Sequence, residues 1–444
     1  MAASLRRQEV LWEIMANTYS PNLCADGFIN LGIAENGLMQ AELLAHIKKK
    51  FDPQRTALSY GEGPNGSARL RAAVASFINS IFSPFTPVDA SHISVSNGVT
   101  GSIERCAFEL GDPGDAFLLG RPYYGAFPAE LGDRAQIRTI PVSFGEVDPF
   151  GLAAVSIYES SIIDAHARSQ RVRALLLCNP HNPLGRCYAK EVLTALMRLC
   201  HKYQIHLVVD EVYALSTFRN PENRQAVPFT STLTIDTTGI IDPALLHVFW
   251  GMSKDFGCNG LRIGCVISQA NRALIAALDA HAPYCYPAAF LDYIACTVLE
   301  DHEFVTAYII ENRRRLGENY AIIATFLNKF AIPFFRGTNA GLFVWANLGA
   351  AWSRRRQDKT RYHLGGTCNG IKCLKEKLTV DSEELQRDLD VNMEVQRRLL
   401  AEKVYIIDGD ELGSEVPGWF RIVFAQPKDI LEKGLNRIAS AFDM

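Results

Sequence analysis

The chain lacks several features that would assign it to whole classes of protein. No part of its 444 residues approaches the roughly 18 apolar residues in a row that a membrane-spanning helix requires. Residues 1–12 contain no apolar core of the length found in a secretory signal peptide. The net charge is −3, with 45 basic and 48 acidic residues, so no excess of positive charge indicates nucleic acid. We therefore expect a protein that binds neither membranes nor nucleic acid.

Cysteine patterns that mark a disulfide framework or a zinc site are also missing. The chain has 11 cysteines, an odd number without the short spacing of a small disulfide-rich domain. His363, Cys368 and Cys373 lie near one another in sequence, but no paired C-x-x-C accompanies them. We therefore expect reduced thiols in a cytoplasmic protein, and no metal site.

Apolar sequence is plentiful at 48% of the residues, enough to bury a large core. Helix-like spacing from Tyr188 to Tyr203 lies between two short apolar runs. Such alternation of strand-like and helix-like runs predicts an α/β fold, a mostly parallel sheet flanked by helices. The predicted strands are Ile93–Val95, Ala116–Leu119, Ala174–Cys178, Leu207–Val209, His247–Trp250 and Cys265–Ile267.

Three segments are predicted to organise the chain. Residues 1–54 form an N-terminal arm, residues 55–302 the large domain, and residues 303–444 a smaller α+β C-terminal domain. Residues 353–380, which contain a basic run, are predicted to be an inserted loop with a solvated charged surface. The last domain is expected to begin with the long helix Glu303–Lys329 and to contain the strands Gly341–Asn347 and Gly418–Ala425.

Lys254 lies where a reactive amine would be placed. Apolar residues from Leu246 to Trp250 precede it and glycines follow it, which predicts a lysine just after a buried strand. A lysine near a desolvated site can form a Schiff base with an aldehyde. The run His206–Asp210 is a second buried strand, ending in a carboxylate where open α/β sheets bind ligands. Pyridoxal phosphate requires two such groups of a protein: an amine that forms an imine with its aldehyde, and a carboxylate that pairs with its pyridinium nitrogen.

Two further polar groups suit the same cofactor. Arg262 follows Lys254 by eight residues across a glycine-rich turn, where its guanidinium could hold a phosphate bidentately. The apolar run Leu175–Cys178 ends in Asn-Pro-His-Asn-Pro, and each proline biases the preceding asparagine away from helix. Asn182 is thereby exposed at a strand end, where its amide could donate to a phenolic oxygen.

These motifs, in this order and spacing, resemble those of the class I/II aminotransferase family, fold type I of the pyridoxal-phosphate enzymes. Within the family, the chain is most similar to 1-aminocyclopropane-1-carboxylate synthase and its synthase-like relatives. The resemblance extends from Ile29–Asn36 to Gly418–Ala425. It implies pyridoxal 5′-phosphate as cofactor, an amino-acid-like substrate, and a homodimer with shared active sites.

The resemblance assigns roles around the cofactor ring. Lys254 would bind the cofactor and move protons at the substrate Cα, and Asp210 would keep the pyridine nitrogen protonated. Asn182 and Tyr213 would bond the phenolic oxygen, with Asn182 also reaching the substrate. Tyr124, rather than its neighbour Tyr123, would stack on the ring. An offset aromatic stack contributes roughly 0.5–1.5 kcal/mol in addition to the free energy of burying apolar area.

The resemblance also assigns the phosphate and substrate contacts. Val99 and Thr100 would form the phosphate cradle at a helix start, where amides face the anion. Arg421 would hold the substrate carboxylate, the alternative being an ordinary arginine at a strand end. Glu35 would either face the substrate or cap the turn at Asn36. The remaining cofactor contacts implied are Ser253, Arg262 and, from the partner subunit, Tyr60.

Two positions depart from the family pattern. The family usually has serine three residues before the lysine, where its hydroxyl bonds the phosphate, and this chain has Gly251 there. Plant synthases continue the Pro-Tyr-Tyr segment with Asp-Arg-Asp, whereas this chain has Pro128-Ala129-Glu130 and lacks that basic group. The second departure favours a reaction other than ring closure on S-adenosylmethionine.

The sequence therefore predicts a pyridoxal-phosphate enzyme acting at Cα of an amino-acid substrate, of aminotransferase type, in specialised metabolism. One alternative is elimination, either by a carbon–sulfur lyase or by a reaction of 1-aminocyclopropane-1-carboxylate synthase type. Another is a catalytically idle protein that only binds the cofactor.

Overall fold

The computed structural model describes residues 11–223, 225–363 and 382–444, and the chain divides into two compact units. The smaller unit comprises the described parts of Met1–Ala34, Glu318–Arg336 and Phe343–Met444. The larger unit comprises the described parts of Glu35–Gly317 and Gly337–Leu342. Residues 353–363 of the predicted inserted loop are helical rather than loop, and residues 364–380, with Cys368 and Cys373, lie outside the described residues.

Strands and helices alternate along most of the chain. The strands are β1 (Ile29–Asn30), β2 (Ile93–Asn97), β3 (Ala116–Gly120), β4 (Arg138–Val142), β5 (Val172–Cys178), β6 (His206–Asp210), β7 (Leu246–Gly251), β8 (Ile263–Ile267), β9 (Phe343–Asn347), β10 (Val404–Tyr405), β11 (Ile407–Asp408) and β12 (Trp419–Val423). The helices are α1 (Gln40–Lys50), α2 (Ala68–Phe82), α3 (Val99–Leu110), α4 (Phe127–Gly132), α5 (Ala153–Ala167), α6 (Lys190–Tyr203), α7 (Met252–Asp255), α8 (Arg272–His281), α9 (Ala289–Leu299), α10 (His302–Lys329), α11 (Leu348–His363), α12 (Ser382–Ala401) and α13 (Lys428–Ala441). Within the described residues, no helix is both long enough and apolar enough to cross a membrane.

The larger unit is built on a seven-stranded sheet in the order β2-β8-β7-β6-β5-β3-β4. All neighbouring strands from β7 to β4 are parallel, and β8 runs antiparallel to both of its neighbours. The predicted fold class, a mostly parallel sheet flanked by helices, is therefore confirmed. All six predicted strands are present, each within two residues of its expected bounds.

The sheet also contains β4, which the sequence analysis did not predict. This strand lies at the edge of the sheet and pairs with β3 alone. Only Val142 of its five residues is buried, and Pro141 is tolerated because an edge strand leaves one row of amides unpaired. An edge strand with one solvated face has no continuous apolar run, so apolar runs do not reveal it.

The central strands and the helices between them follow from apolar spacing. Residues of β7 and β8 are buried throughout, as expected for strands covered on both faces. Helix α6 buries one face. Its C-cap residue, Gln204, has a left-handed φ of 52°. The residues on the buried face are Val192, Leu193, Leu196, Met197, Leu199 and Cys200.

The sheet brings the ends of separate strands to one edge. Parallel strands β2, β3, β5, β6 and β7 all end at that edge, and antiparallel β8 begins there. The register pairs Cys178 with Asp210 and Gly251 with Gly264. Because ligands of open α/β sheets bind outside the carboxyl ends of the strands, this edge is where a functional site is expected.

The smaller unit contains a three-stranded antiparallel sheet in the order β11-β12-β9 and the short parallel pair β1-β10. Both strands predicted for the C-terminal part are present as β9 and β12. Trp345 of β9 and Trp419 of β12 stack with ring centroids 5.8 Å apart and planes 11° from parallel. In the same sheet, Arg421 of β12 lies opposite Trp345.

Candidate active site

Lys254 lies on the short helix α7, which begins directly after the buried strand β7. Its side chain is half-buried, whereas its neighbours Ser253 and Asp255 are buried. The Asp255 carboxylate accepts hydrogen bonds from the Ser216 hydroxyl at 2.7 Å and from the Leu215 amide at 3.1 Å. These bonds tie α7 to the turn that follows β6, so the lysine is held on a rigid support.

Asp210 is the last residue of β6 and is only 5% exposed. Burial raises the pKa of this carboxyl from 3.8 to about 8, against a hydrogen bond from the Val212 amide. The nearby Glu130 raises the pKa further, and Lys254 lowers it. A buried carboxylate that has lost its water and gained so few hydrogen bonds is stabilised by a cation placed beside it. A protonated pyridine nitrogen is such a cation, so the residue fits the predicted role.

Asn182 and Tyr213 are both buried near Asp210, Asn182 through the pairing of strands in the sheet and Tyr213 along the chain. Asn182 lies in the turn after β5, the strand paired with β6, and is 2% exposed. The prediction that Asn182 is exposed at the strand end is therefore wrong, because the turn that carries it packs into the larger unit. Tyr213 lies three residues after Asp210 and is 3% exposed. Asn182 also lines a small cavity of about 10 Å³ with His181 and Tyr123, room for about one water. Burial lowers the pKa of His181 to about 3, so this imidazole is neutral.

The start of α3 forms a cradle for an anion. Gly98 precedes the helix with a φ of 94°, a left-handed conformation that favours glycine. The Ser96 hydroxyl donates to the Gly98 carbonyl at 2.9 Å and stabilises this turn. Val99 and Thr100 are the first residues of the helix, where amides have no partner within the helix and the dipole favours negative charge.

Arg262 lies against the same turn. Its guanidinium packs over Gly98 so closely that a Cβ at that position would overlap it. Nη1 donates to the Asn259 carbonyl at 3.0 Å, which orients the side chain. A guanidinium beside free helix amides is a site for a phosphate group, so the residues present fit the phosphate of the cofactor.

Close contact between backbones explains why glycine occupies position 251. Gly251 ends β7 opposite Gly264 of β8. A Cβ added at Gly251 would lie 2.7 Å from the Ile263 carbonyl oxygen and 3.1 Å from the Gly264 Cα. The serine that the family usually has would therefore push β7 and β8 apart, and its absence is a requirement of this chain's packing.

Tyr124 and Tyr60, the two tyrosines predicted to contact the cofactor, differ in exposure. Tyr124 is half-buried, and its ring meets that of Phe127 edge-on, with centroids 5.2 Å apart and planes at 90°. Tyr123 lines the small cavity beside Asn182 instead. Tyr60 is 89% exposed after a 3₁₀ turn at Arg55–Leu58, as a side chain that serves another subunit would be.

Glu35 is bonded to the loop that carries Arg262. Its Oε1 accepts from the Asn259 side-chain amide at 2.6 Å, and Arg262 donates to the carbonyl of Asn259. The turn at Asn36 is closed by Asn36 itself, whose side chain accepts from the Leu38 amide at 3.2 Å. The described contacts of Glu35 therefore support the loop between Lys254 and Arg262.

Arg421 lies in the smaller unit and is almost fully buried, at 2% exposure. Its Nη2 donates to the Gly32 carbonyl at 2.7 Å, and its guanidinium carbon lies 5.0 Å from the centroid of the Phe343 ring. Burial between a carbonyl and an aromatic face fixes the orientation of this planar cation. An arginine so held differs from an ordinary exposed strand-end arginine.

The structure adds one residue that sequence reasoning missed. Glu130 on α4 lies within electrostatic range of Lys254 and Arg262, and its Oε2 is buried without a hydrogen-bond partner among the described residues. Burial raises the pKa of this carboxyl. The available signal was its position three residues after Phe127, which puts the carboxylate on the same helix face as a buried ring.

The chain is similar to known proteins along most of its length. The family model for aminotransferase class I and II matches residues 26–438. A protein named probable aminotransferase from Claviceps purpurea is 29% identical over 98% of this chain and 94% of its own length. A 1-aminocyclopropane-1-carboxylate synthase from Cucurbita pepo is 28% identical over 96% of this chain and 80% of its own length. The solved aromatic aminotransferase from Pyrococcus horikoshii shares the fold, with a TM-score of 0.71, 18% identity and 98% coverage of both chains.

Gly251→Ser should destabilise the protein without strengthening the phosphate site. The added Cβ meets the Ile263 carbonyl at 2.7 Å, and overpacking of this kind costs about 1–3 kcal/mol. Thermal unfolding and the dissociation constant of pyridoxal phosphate should be measured for Gly251→Ser and for Gly251→Ala, which adds the Cβ without the hydroxyl. Tighter cofactor binding in the serine variant alone, at unchanged stability, would show that the hydroxyl reaches the phosphate after all.

Asp210→Asn should stabilise the cofactor-free protein at high pH more than at low pH. The folded-state pKa of about 8 lies above the ordinary 3.8, so the native carboxyl loses stability as pH rises between these values. Asparagine does not titrate, so its advantage over Asp210 should grow by about 1 kcal/mol or more between pH 5 and pH 8. Denaturant unfolding at both pH values measures this, with Asp133→Asn at an exposed position as control. An equal effect at both pH values would contradict the burial of a charged Asp210.

Proposed function

The chain belongs to the class I and II aminotransferase family, and from this premise we propose that it transfers the amino group of an amino acid to a keto acid. It is a pyridoxal-phosphate-dependent enzyme that acts on amino acids. The observation that carries the proposal is the buried Asp210 at the same sheet edge as Lys254 and the cradle at Val99.

The residues of the larger unit account for the parts of the cofactor. Lys254 would bind its aldehyde carbon, and Asp210 would pair with its ring nitrogen. Asn182 and Tyr213 would bond its phenolic oxygen, and Tyr124 would stack on its ring. The phosphate would be held by the Val99 and Thr100 amides, Ser253, Arg262 and Tyr60 of a second subunit. Bound pyridoxal phosphate supplies an electron-withdrawing ring that takes up the charge left when Cα loses a proton.

Amino transfer requires a proton to be taken at one carbon and returned at another. The Lys254 amine is the group on this chain that would take the proton from the substrate Cα and return it to C4′ of the cofactor. Asp210 supports that step because its carboxylate, stripped of water by burial, stabilises the positive charge on the ring nitrogen. Asn182 and Tyr213 would hold the phenolic oxygen by hydrogen bonds.

Arg421 is proposed to hold the α-carboxylate of the substrate. Its guanidinium is buried and oriented by the Gly32 carbonyl and the Phe343 ring. Arginine binds carboxylates bidentately, and a preoriented guanidinium loses little entropy in doing so. Glu35 is proposed to face the substrate from the loop that it shares with Asn259.

Elimination is the second candidate reaction, because relatives of this chain include a 1-aminocyclopropane-1-carboxylate synthase at 28% identity. A carbon–sulfur lyase would use the same Lys254 and Asp210 and expel a β or γ substituent instead of returning the proton. Pro128-Ala129-Glu130 lacks the basic group of the plant synthases, which argues against ring closure. An idle cofactor-binding protein has less support, because Lys254, Asp210 and Arg421 are all present.

A homodimer with shared sites and a cytoplasmic location complete the proposal. Tyr60 is 89% exposed, as the contribution of one subunit to another's site requires. Reduced cysteines agree with a cytoplasmic protein, since the cysteines described in the structure are free thiols. A role in specialised metabolism stays part of the hypothesis.

Purified protein should form a keto acid from an amino acid only when Lys254 is intact. Incubation with pairs of amino and keto acids, cysteine conjugates and S-adenosylmethionine, with products resolved by mass spectrometry, distinguishes transfer from elimination. Lys254→Ala should abolish product formation. It should also abolish the increase in chain mass that is seen when borohydride fixes the cofactor to the protein. Lys202→Ala, at an exposed position, should retain both. Release of thiol or pyruvate without amino transfer would replace the aminotransferase proposal with the lyase.

Arg421→Ala should weaken substrate binding well over tenfold while the cofactor still binds. A charge-assisted hydrogen bond contributes roughly 1.5–3 kcal/mol, and about 1.4 kcal/mol corresponds to a factor of ten. The KM for the best substrate in the panel and the dissociation constant of the cofactor should be measured together. Arg437→Ala is the matched control, because Arg437 also donates to main-chain carbonyls of the smaller unit. Equal effects of the two substitutions on KM would remove Arg421 from the substrate site.

A further inference from the structure

Asp255, the residue after Lys254 on α7, is an acid buried to 1% exposure. Both of its carboxyl oxygens accept hydrogen bonds from one other segment of the chain. Oδ1 accepts from the Ser216 hydroxyl at 2.7 Å, and Oδ2 accepts from the Leu215 amide at 3.1 Å. A buried carboxylate that loses such bonds keeps the cost of its desolvation, so the contact resists separation. The carboxylate therefore joins α7 firmly to the segment that contains Leu215 and Ser216.

The joined segment is the turn that follows β6, residues 210–216, which we call the β6 turn. The Val212 amide donates to the Asp210 side chain at 3.2 Å, and the Ser216 amide donates to the Tyr213 carbonyl at 3.0 Å. These bonds make one hydrogen-bonded unit of the turn. Asp210 and Tyr213, which are both proposed to contact the cofactor, therefore lie on the unit that is joined to α7.

The pairing of β6 with β7 ends before it reaches Tyr213 and Lys254. The two strands are parallel, and at the end of their pairing the Glu211 amide donates to the Phe249 carbonyl at 2.9 Å. Tyr213 and Lys254 both lie beyond the ends of their strands. The two hydrogen bonds to Asp255 continue the connection past that point.

Leu215 is also held from its other side. Nε of Arg313, on α10, donates to the Leu215 carbonyl at 3.0 Å. The backbone of Leu215 thus lies between the Asp255 carboxylate and the Arg313 guanidinium, and these opposite charges attract each other. A turn fixed to two helices at one residue has little freedom to shift relative to α7.

The cofactor requires a fixed spacing between the two sides of this contact. In pyridoxal phosphate, the aldehyde carbon and the phenolic oxygen are substituents of neighbouring ring atoms. Lys254 is proposed to bind the first and Tyr213 to donate to the second. Hydrogen bonds weaken steeply with misalignment, and displacement of a reacting group by about 1 Å lowers reaction rates strongly. The relative position of α7 and the β6 turn therefore decides whether both groups are engaged at once.

We propose that Asp255 is a positioning residue, which fixes Lys254 on α7 against Tyr213 on the β6 turn at the spacing of these neighbouring ring substituents. The carboxylate acts through its bonds to Leu215 and Ser216. The inference rests on the proposed roles of Lys254 and Tyr213, and it is the same for amino transfer and for elimination.

The chain provides a matched pair of serines for the test. The Ser216 hydroxyl joins the β6 turn to Asp255, and the Ser231 hydroxyl donates to Glu211 of the same turn at 2.6 Å. Ser216 and Ser231 are both buried, at 0% and 2% exposure, and neither carries a charge. Ser216→Ala and Ser231→Ala therefore each remove one hydroxyl–carboxylate bond of the turn, but only the first of these bonds leads to α7.

The main measurement is the pH at which the Schiff base between the protein and pyridoxal phosphate loses its proton, read from the absorbance of the bound cofactor. A Tyr213 that donates less well leaves more negative charge on the phenolic oxygen, which stabilises the protonated Schiff base beside it. This pH should therefore rise by up to about one unit in Ser216→Ala and in Asp255→Ala. It should stay at the native value in Ser231→Ala, although that variant also loses thermal stability.

Asp255→Asn separates the position of the side chain from its charge. Its amide oxygen can accept from the Leu215 amide, and its NH₂ group can donate to the Ser216 hydroxyl oxygen. The titration of this variant should therefore lie close to the native one and below that of Asp255→Ala. Should Asp255→Ala fail to fold, Ser216→Ala carries the comparison, because it leaves the bond from Leu215 in place.

Hydrogen exchange of the cofactor-free protein gives a second measurement. The Leu215 amide should exchange about tenfold faster in Asp255→Ala than in Ser231→Ala, because its acceptor is lost. An unchanged titration in Ser216→Ala and Asp255→Ala, an equal rise in Ser216→Ala and Ser231→Ala, or equal exchange rates would overturn the inference and leave the proposed function intact. Absence of a Schiff base on Lys254 in the native protein would overturn both.

Discussion

The burial of Asp210 is the constraint on which the rest of the site depends. Its carboxyl lies at the end of a fully covered strand, where water cannot stabilise the ionised form, and burial raises its pKa to about 8. Such a group is stable as an anion only beside a cation. The parallel sheet determines where that cation must lie, because β5 and β7 end on either side of Asp210. Asn182 follows one of these strands and Lys254 the other, so the same geometry that buries the carboxylate surrounds it with partners.

The phosphate end of the site is organised by backbone contacts rather than by side chains. Gly98 adopts a left-handed turn against which Arg262 packs, and Gly251 meets the backbone of β8 without space for a Cβ. The site thereby loses a serine hydroxyl and keeps the helix amides and one guanidinium. A phosphate bound here would therefore depend on the Val99 and Thr100 amides and on the Arg262 guanidinium, which the Asn259 carbonyl orients.

Much of the fold and part of the site followed from local sequence patterns. Apolar runs revealed β5, β6 and β7 because strands buried on both faces have no polar alternation to obscure them. Edge strand β4 has one solvated face and no such run, so it was missed. Asp210 and Lys254 were recognised because each follows an apolar run directly. Glu130 was not, since the charges that act on it, Lys254 and Arg262, lie far away in sequence and on other elements. Contacts of this kind depend on tertiary packing, which a single sequence does not specify.

The two departures from the family pattern have different consequences in the structure. Gly251 is required where β7 and β8 approach, so the missing hydroxyl cannot be restored at that position without moving a strand. Ala129 stands where the plant synthases have their basic residue, whereas Glu130 keeps the acid that ends the same run. The first departure thus follows from the packing of β7 against β8, and the second removes a positive charge from the segment after Tyr124 while its acid stays in place.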